Sequence, residues 1–211
     1  EIRLSADGRR LLVANGGIRT HPDLPRIKTN LTSMRPNLVY LDLANGDLLH
    51  RCEPPEQWHQ LSIRHIDVAP DDRVAVAMQF EGRPNLVPPL IAIQQADGPL
   101  QMLSAPPEIQ RRLRNYCGSV AFSDEGQRFA VSSPRGGVVT YWSVEGDYLG
   151  LHEQVDACGI SRAYDCGRGF FVSDGGGRVA RVNDRLAVSE QRALPDWRWD
   201  NHLSTLARPL G

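Results

Sequence analysis

The chain has 211 residues, 41% hydrophobic and 23% charged, and its 24 basic and 25 acidic side chains leave a net charge of −1. So even a balance offers no general attraction to nucleic acid or anionic lipid. No apolar run approaches the roughly 20 residues of a membrane-spanning helix; the longest, near Leu86 to Ile93, contains two prolines.

In chain order, four segments share one pattern of apolar strand, acidic tight turn and apolar strand. They are IRLSADGRRLLVANGG, IDVAPDDRVAVAMQFEG, VAFSDEGQRFAVSSPRGG and AYDCGRGFFVSDGGG. A third strand, a polar turn and a fourth strand follow, as in NLVYLDLANGDLLHRC and GVVTYWSVEGDYLGLH. The recurrence predicts an all-β chain of four-stranded antiparallel sheets, the blades of a β-propeller. Units starting at Ile2, Ile66, Val120 and Ile160 are spaced 64, 54 and 40 residues apart, so the longer ones carry insertions. The predicted blades are residues 1–54, 65–105, 119–155 and 159–194 of one domain over 1–211, and a fifth start, His202-Leu203-Ser204-Thr205-Leu206, opens a further or closing blade over 202–211. Glu1 falls in what reads as a strand start, without an initiator Met, so four blades and an orphan strand suggest a piece of a longer propeller.

The pattern also sorts the connections. The short Asp/Gly-rich turns SADG, ANGD, APDD, QADG, SDEG and VEGD share one face, here called the bottom. The long, irregular connections share the opposite, top face, where loops on a rigid scaffold usually carry function. The first of them, Gly16 to Asn37, holds Arg19, His21, Arg26, Lys28 and Arg35. It is either a solvated loop or a lid packed down through Ile18, Leu24, Ile27, Leu31 and Met34. The connections PPEQWHQLSIRH and PPEIQRRLRNYC each open like a short helix, with Leu61 and Leu113 facing inward.

Five of the six histidines, His21, His59, His65, His152 and His202, fall in or beside top-face segments, and His50 does not. Aligned blade starts place Glu1, His65, Ser119 and His202 at equivalent positions beside the channel mouth. Two imidazoles and a carboxylate there suit a divalent cation, iron or zinc. The competing reading has such histidines hydrogen-bonding between neighbouring blades. Arginines also favour the top face: Arg19, Arg26, Arg35, Arg64, Arg83, Arg111, Arg112, Arg114, Arg135 and Arg198. Glu56, Glu81, Glu108, Asp156, Asp174, Asp196 and Asp200 interleave with them, so many should form ordinary inter-blade ion pairs. A guanidinium cluster clamping a carboxylate or phosphate is the alternative. Trp58, Trp197 and Trp199 read as wedges between blades or as an aromatic rim for a partner. Cys52, Cys117, Cys158 and Cys166 have no metal-finger spacing. They read as buried thiols, with a Cys158–Cys166 bridge open to an oxidising compartment.

Enzyme motifs are few. There is no G-x-S-x-G elbow, P-loop or dinucleotide fingerprint, and His152-Glu153 lacks the second histidine of H-E-x-x-H. The stretch Ser173 to Gly177 joins two strands and is a hairpin loop, and Asn30-Leu31-Thr32 matches a glycosylation sequon.

The phrases VANGGIRTHPD, SMRPNLVYLD, HQLSIRHIDV, AVAMQFEG, YCGSVAFS, SPRGG, ACGI and WDNHL, in this order, resemble the bacterial family called domain of unknown function 1513, from Glu1 essentially to the end. The resemblance implies an exported, periplasmic protein with a seven-bladed propeller related to WD-repeat and YVTN-repeat proteins. It further implies a role in iron acquisition beside imelysin-like or haem-peroxidase-like partners. Its phrases cover Arg19, His21, Arg35, His59, Arg64, His65, Arg135, Asp200, Asn201 and His202, but no catalytic residue can be carried over. Two readings follow. One is a non-enzymatic propeller binding a protein partner or a small metal-chelate or anionic ligand through Arg19, His21, Arg35, His59, Arg64, Arg135, Asp200 and Asn201. The other is a metal-dependent, lactonase-like hydrolase using a cation on Glu1, His65 and His202. A purely architectural scaffold is the third alternative.

Overall fold

Alternating apolar residues and Gly/Asp turns produce four antiparallel four-stranded sheets and one two-stranded hairpin among the described residues. The computed structural model describes residues 1–21, 23–95, 97–164, 169–194 and 196–204, with the backbone alone for 24–26. Blade 1 consists of β1 (Ile2–Leu4), β2 (Arg10–Asn15), β5 (Asn37–Asp42) and β6 (Leu48–Cys52), interrupted by the hairpin of β3 (Thr20–His21) and β4 (Leu24–Lys28). Blade 2 is β7 (Leu61–Val68), β8 (Val74–Phe80), β9 (Ile91–Gln94) and β10 (Gln101–Leu103). The helix α1 (Pro107–Arg112) leads to blade 3, which is β11 (Ser119–Phe122), β12 (Arg128–Ser133), β13 (Val138–Ser143) and β14 (Tyr148–Glu153). Blade 4 is β15 (Ala157–Ala163), β16 (Gly169–Asp174), β17 (Arg178–Val182) and β18 (Val188–Ala193).

The strands run in sequence order across each blade, so the first and third turns of every blade lie at one end and all other connections at the other. The predicted bottom and top faces follow directly. The first strands β1, β7, β11 and β15 touch in succession. Burial falls from the middle of a blade outward: β8 is buried at every position, as a strand covered on both faces must be, whereas β18 is exposed throughout. One core fills the space between blades 1, 2 and 3, and a second lies between blades 3 and 4. Phe122 and Phe129 are fully buried with their rings 5.5 Å apart, and each such side chain contributes about 1.5–3 kcal/mol by leaving water.

The inner strands are also tied by polar groups, each satisfying a backbone donor that would otherwise be buried unpaired. The Glu1 carboxylate accepts the Ile66 N–H at 2.9 Å, Asp67 accepts the Phe122 N–H at 2.8 Å, and the Ser119 hydroxyl accepts the Ile160 N–H at 3.2 Å. Asp67 further receives the Arg162 guanidinium at 3.0 Å.

Two boundaries differ from expectation. Blade 2 starts at Leu61, four residues before the predicted His65, because LSI continues the ladder across a bulge between Ile63 and His65. Arg64 is the extra residue there. Beyond blade 4, the described residues His202 to Ser204 form no strand, and the rest of the expected fifth start, from Thr205 on, lies outside the described residues, as do Cys166 and the Arg26 side chain. Cys52, Cys117 and Cys158 are buried free thiols, and burial pushes their pKa values up.

The long insertion is fastened to the scaffold. Met34 is buried, Gln60 Nε2–H donates to the Leu31 carbonyl at 3.0 Å, and Lys28 pairs with Glu81 of blade 2. Gly17 lets the chain turn away at φ +71, where a Cβ would lie 2.6 Å from the Pro36 nitrogen. Ile27 stays exposed, the Leu24 side chain lies outside the described residues, and the ties that hold the insertion down are those of Lys28, Leu31 and Met34. Both Pro-Pro-Glu connections wind as predicted, a 3-10 turn at Glu56–Trp58 and α1 at Pro107–Arg112, and Leu61 and Leu113 are fully buried.

Candidate functional site at the channel mouth

The bulge in β7 turns Arg64 and His65 toward the top of the first strands, beside Glu1 at the start of β1. The segment after blade 4 returns to the same place and brings Asn201 and His202 with it. These residues, with Arg3, Gly16 and Tyr116, surround a pocket of about 600 Å³. Gly16 must be small there, since a Cβ would stand 2.7 Å from the Ser62 hydroxyl. Asn201 is held by donating its Nδ2–H to the Tyr116 hydroxyl at 2.9 Å.

Glu1 Oε2 lies 3.3 Å from His65 Nδ1, and Glu1 Oε1 lies 2.6 Å from the Arg3 guanidinium. Burial opposes the charged form of Glu1, but the His65 hydrogen bond, the Arg3 charge and the Ile66 N–H outweigh it and hold the carboxyl below its ordinary range. The His65 and His202 rings meet edge to face at 5.3 Å. One donor atom from each of Glu1, His65 and His202 falls within 4.8 Å of the others. Two imidazoles and a carboxylate are a donor set for zinc or ferrous iron. Metal–ligand bonds of about 2.0–2.2 Å require the donors to close to roughly 3.3 Å. His202 is exposed and outside any strand, so solvent leaves its ring room to approach the other two donors, while Arg3 competes for the carboxylate. Ser119 takes no part: its hydroxyl is spent on Ile160.

The remaining sequence-selected residues are dispersed over the top face. Arg35 and His59 line a rim pocket of about 670 Å³ between the insertion and the blade 1–2 connection, together with Glu53 and Glu56. His21 is at the exposed tip of the insertion hairpin, where its Nδ1 accepts the Asp23 N–H at 3.2 Å, and the exposed Arg19 contributes its backbone N–H to Asn30. Asp200 caps His202, accepting its N–H at 2.8 Å. Arg135 stacks over Tyr116, 4.7 Å from the ring centre.

Two alternatives left open by the sequence are resolved in part. His152 is a structural histidine: the Tyr141 hydroxyl lies 2.6 Å from its Nδ1 and Gln154 Oε1 lies 3.3 Å from its Nε2. Trp58 is a wedge against Phe80, whereas the exposed Trp197 stacks on Trp199 at 5.3 Å. The expected ion pairing of the top-face arginines fails for most of them. Arg112 binds Glu153 at 2.7 Å, but Arg35, Arg64, Arg83, Arg111, Arg114 and Arg135 form no ion pair among the described residues. The acidic residues are spent elsewhere, Glu81 on Lys28 and Asp174 on Arg178. Tyr116, a wall of the pocket that also orients Asn201, was missed by sequence reasoning, because one tyrosine between strands carries no signal.

The fold is shared with solved WD-repeat propellers. The β-propeller domain of Myceliophteria thermophila Cps50 (Swd1) aligns with TM-score 0.62 at 12% identity, covering 91% of this chain and 57% of that one. A structure of U3-55K aligns with TM-score 0.57 at 16% identity, over 85% and 47% of the two chains, and the RRP9 WD40 repeats give TM-score 0.57 at 16% identity, over 85% and 46%. The chain thus spans about half the length of these structures, and at such identities the likeness concerns fold alone. No curated protein matches the chain. The family model of the protein of unknown function DUF1513 matches residues 1–206, and the chain belongs to that family.

Proposed function

We propose that the protein is a non-enzymatic binding propeller that takes a metal-bearing protein partner or a small metal-chelate or anionic ligand over its channel mouth, in the service of periplasmic iron acquisition. The observation that carries this reading is the convergence of Arg64, His65, Asn201 and His202, from a strand bulge and a distant C-terminal segment, on one pocket of about 600 Å³. That volume suits a small ligand, and the Arg64 guanidinium is free of carboxylates among the described residues to meet an anion. Titration of the protein with iron nitrilotriacetate should show saturable binding that is lost in the Arg64→Ala, His202→Ala variant with its melting profile intact. Binding unchanged in that variant removes the site, and absence of binding in the wild type removes the chelate.

The proximity of Glu1, His65 and His202 favours a second reading, a hydrolase with a resident divalent cation. His65, His202 and Glu1 would hold the ion, which when bound supplies Lewis acidity and an acidified water. Elemental analysis should then find near-stoichiometric zinc or iron in the wild type and none in folded His65→Ala, His202→Ala protein. A metal-free wild type excludes this reading.

A further inference from the structure

Between blades 2 and 3, outside the channel mouth, the top face has a further pocket of about 480 Å³ lined by three arginines. Arg111 comes from α1, Arg114 from the turn that ends it, and Arg135 from the turn between β12 and β13. Phe80, Pro84 and Val87 supply an apolar floor. We propose that this pocket binds a small polyanion, a molecule with two or more carboxylate or phosphate groups on a short apolar body.

Three like charges lining one pocket raise the energy of the empty site, and an anion lowers it. None of the three forms an ion pair or side-chain hydrogen bond among the described residues. Glu81, the carboxylate next in sequence to the floor, is engaged by Lys28. The planar fork of arginine matches carboxylate and phosphate oxygens two at a time. The cluster is also positioned before any ligand arrives. The Arg135 guanidinium rests 4.7 Å above the Tyr116 ring, which restrains it without using its donors in the plane. Arg114 and Asn115 are consecutive residues with φ of 49 and 55, a backbone that non-glycine residues adopt at a cost and that recurs at ligand clamps. The turn is locked by the Asn115 carbonyl accepting the Phe80 N–H at 3.0 Å and by Asn115 Nδ2–H donating to the Leu86 carbonyl at 3.0 Å. The volume falls in the range of small-molecule sites. This site stands apart from the channel mouth, from which Tyr116 separates it, and does not depend on the function proposed there.

Calorimetric titration of the 211-residue chain with pyrophosphate and, separately, tricarballylate tests the proposal. At least one should bind, with the dissociation constant rising about tenfold or more in Arg111→Ala, Arg114→Ala protein and staying within about twofold in Arg64→Ala protein. Binding of pyrophosphate alone identifies a phosphate ligand, of tricarballylate alone a carboxylate ligand, and of both a site that reads charge. Arg135→Lys keeps the charge but not the stacked fork and should weaken binding too; if the double variant does not fold, this variant and Arg111→Gln carry the test. No binding of either anion, binding unchanged without the arginines, or binding lost equally in Arg64→Ala protein overturns the proposal.

Discussion

The Asn201 amide donates a hydrogen bond to the Tyr116 hydroxyl at 2.9 Å, fastening the segment beyond blade 4 to the connection between blades 2 and 3. Tyr116→Phe deletes this bond and keeps the ring under Arg135. The expected global cost is about 0.5–1.5 kcal/mol, with a larger local effect: amide exchange of residues 199–204 should accelerate, while β8 and β12 stay protected. Hydrogen exchange read by mass spectrometry checks this, and equal rates in the two proteins would show that the segment is held by something else.

Asp67 connects blade 2 to blade 3 through the Phe122 amide and to blade 4 through Arg162. Asp67→Ala should destabilise by about 2–3 kcal/mol, since charge-assisted bonds at a mostly buried carboxylate are lost together. Urea denaturation should show a lower midpoint. Asp67→Asn should recover part of the loss, because its amide oxygen can still accept from Phe122.

His152 gives stability a pH dependence. Burial disfavours its charged form, against a smaller opposing effect of Gln154, and holds its pKa below the ordinary value of 6.5. The unfolded chain therefore binds a proton at a pH where the folded protein does not. The stabilisation is complete above pH 6.5 and is lost as pH falls toward the folded value. Melting temperatures measured between neutral and mildly acidic pH should fall less steeply in His152→Gln protein than in the wild type; parallel curves would clear His152 of the effect.

Lys28 holds the insertion to blade 2 through the nearly buried Glu81. Lys28→Ala leaves that carboxylate unpaired, at an expected cost of about 1–3 kcal/mol, and loosens the hairpin. Trypsin should cut within Arg19 to Arg26 faster than in the wild type, with the four blades left intact on a gel.

The blades were legible because side-chain alternation and Gly/Asp turns are local signals repeated four times, and the same repetition sorted the connections into two faces. Arg64, His65, Asn201 and His202 could be picked out because long phrases of the family cover them. Alignment of the blade starts also brought Glu1, His65 and His202 together, but not Arg64 and Asn201, whose place in the pocket depends on the bulge at Arg64 and on the path of the segment after blade 4, neither of which leaves a periodic trace. The bulge is also why blade 2 starts earlier than expected: one extra residue breaks the alternation that marks a strand's beginning. Arginine pairing was misjudged because composition counts charges without locating them. Arg111 and Arg114 stand three apart, the spacing that puts side chains on one side of a helical turn, and this was the available hint of a cluster.

Three of the ties between inner strands point the same way. Glu1, Asp67 and Ser119 each offer an oxygen from the earlier blade to an amide of the later one, Ile66, Phe122 and Ile160. Each of these three later strands therefore depends on the blade before it to satisfy an amide that it would otherwise bury unpaired. Loss of an acceptor on one inner strand is thus felt as an unpaired donor on the next, so damage to a blade is passed one step along the chain.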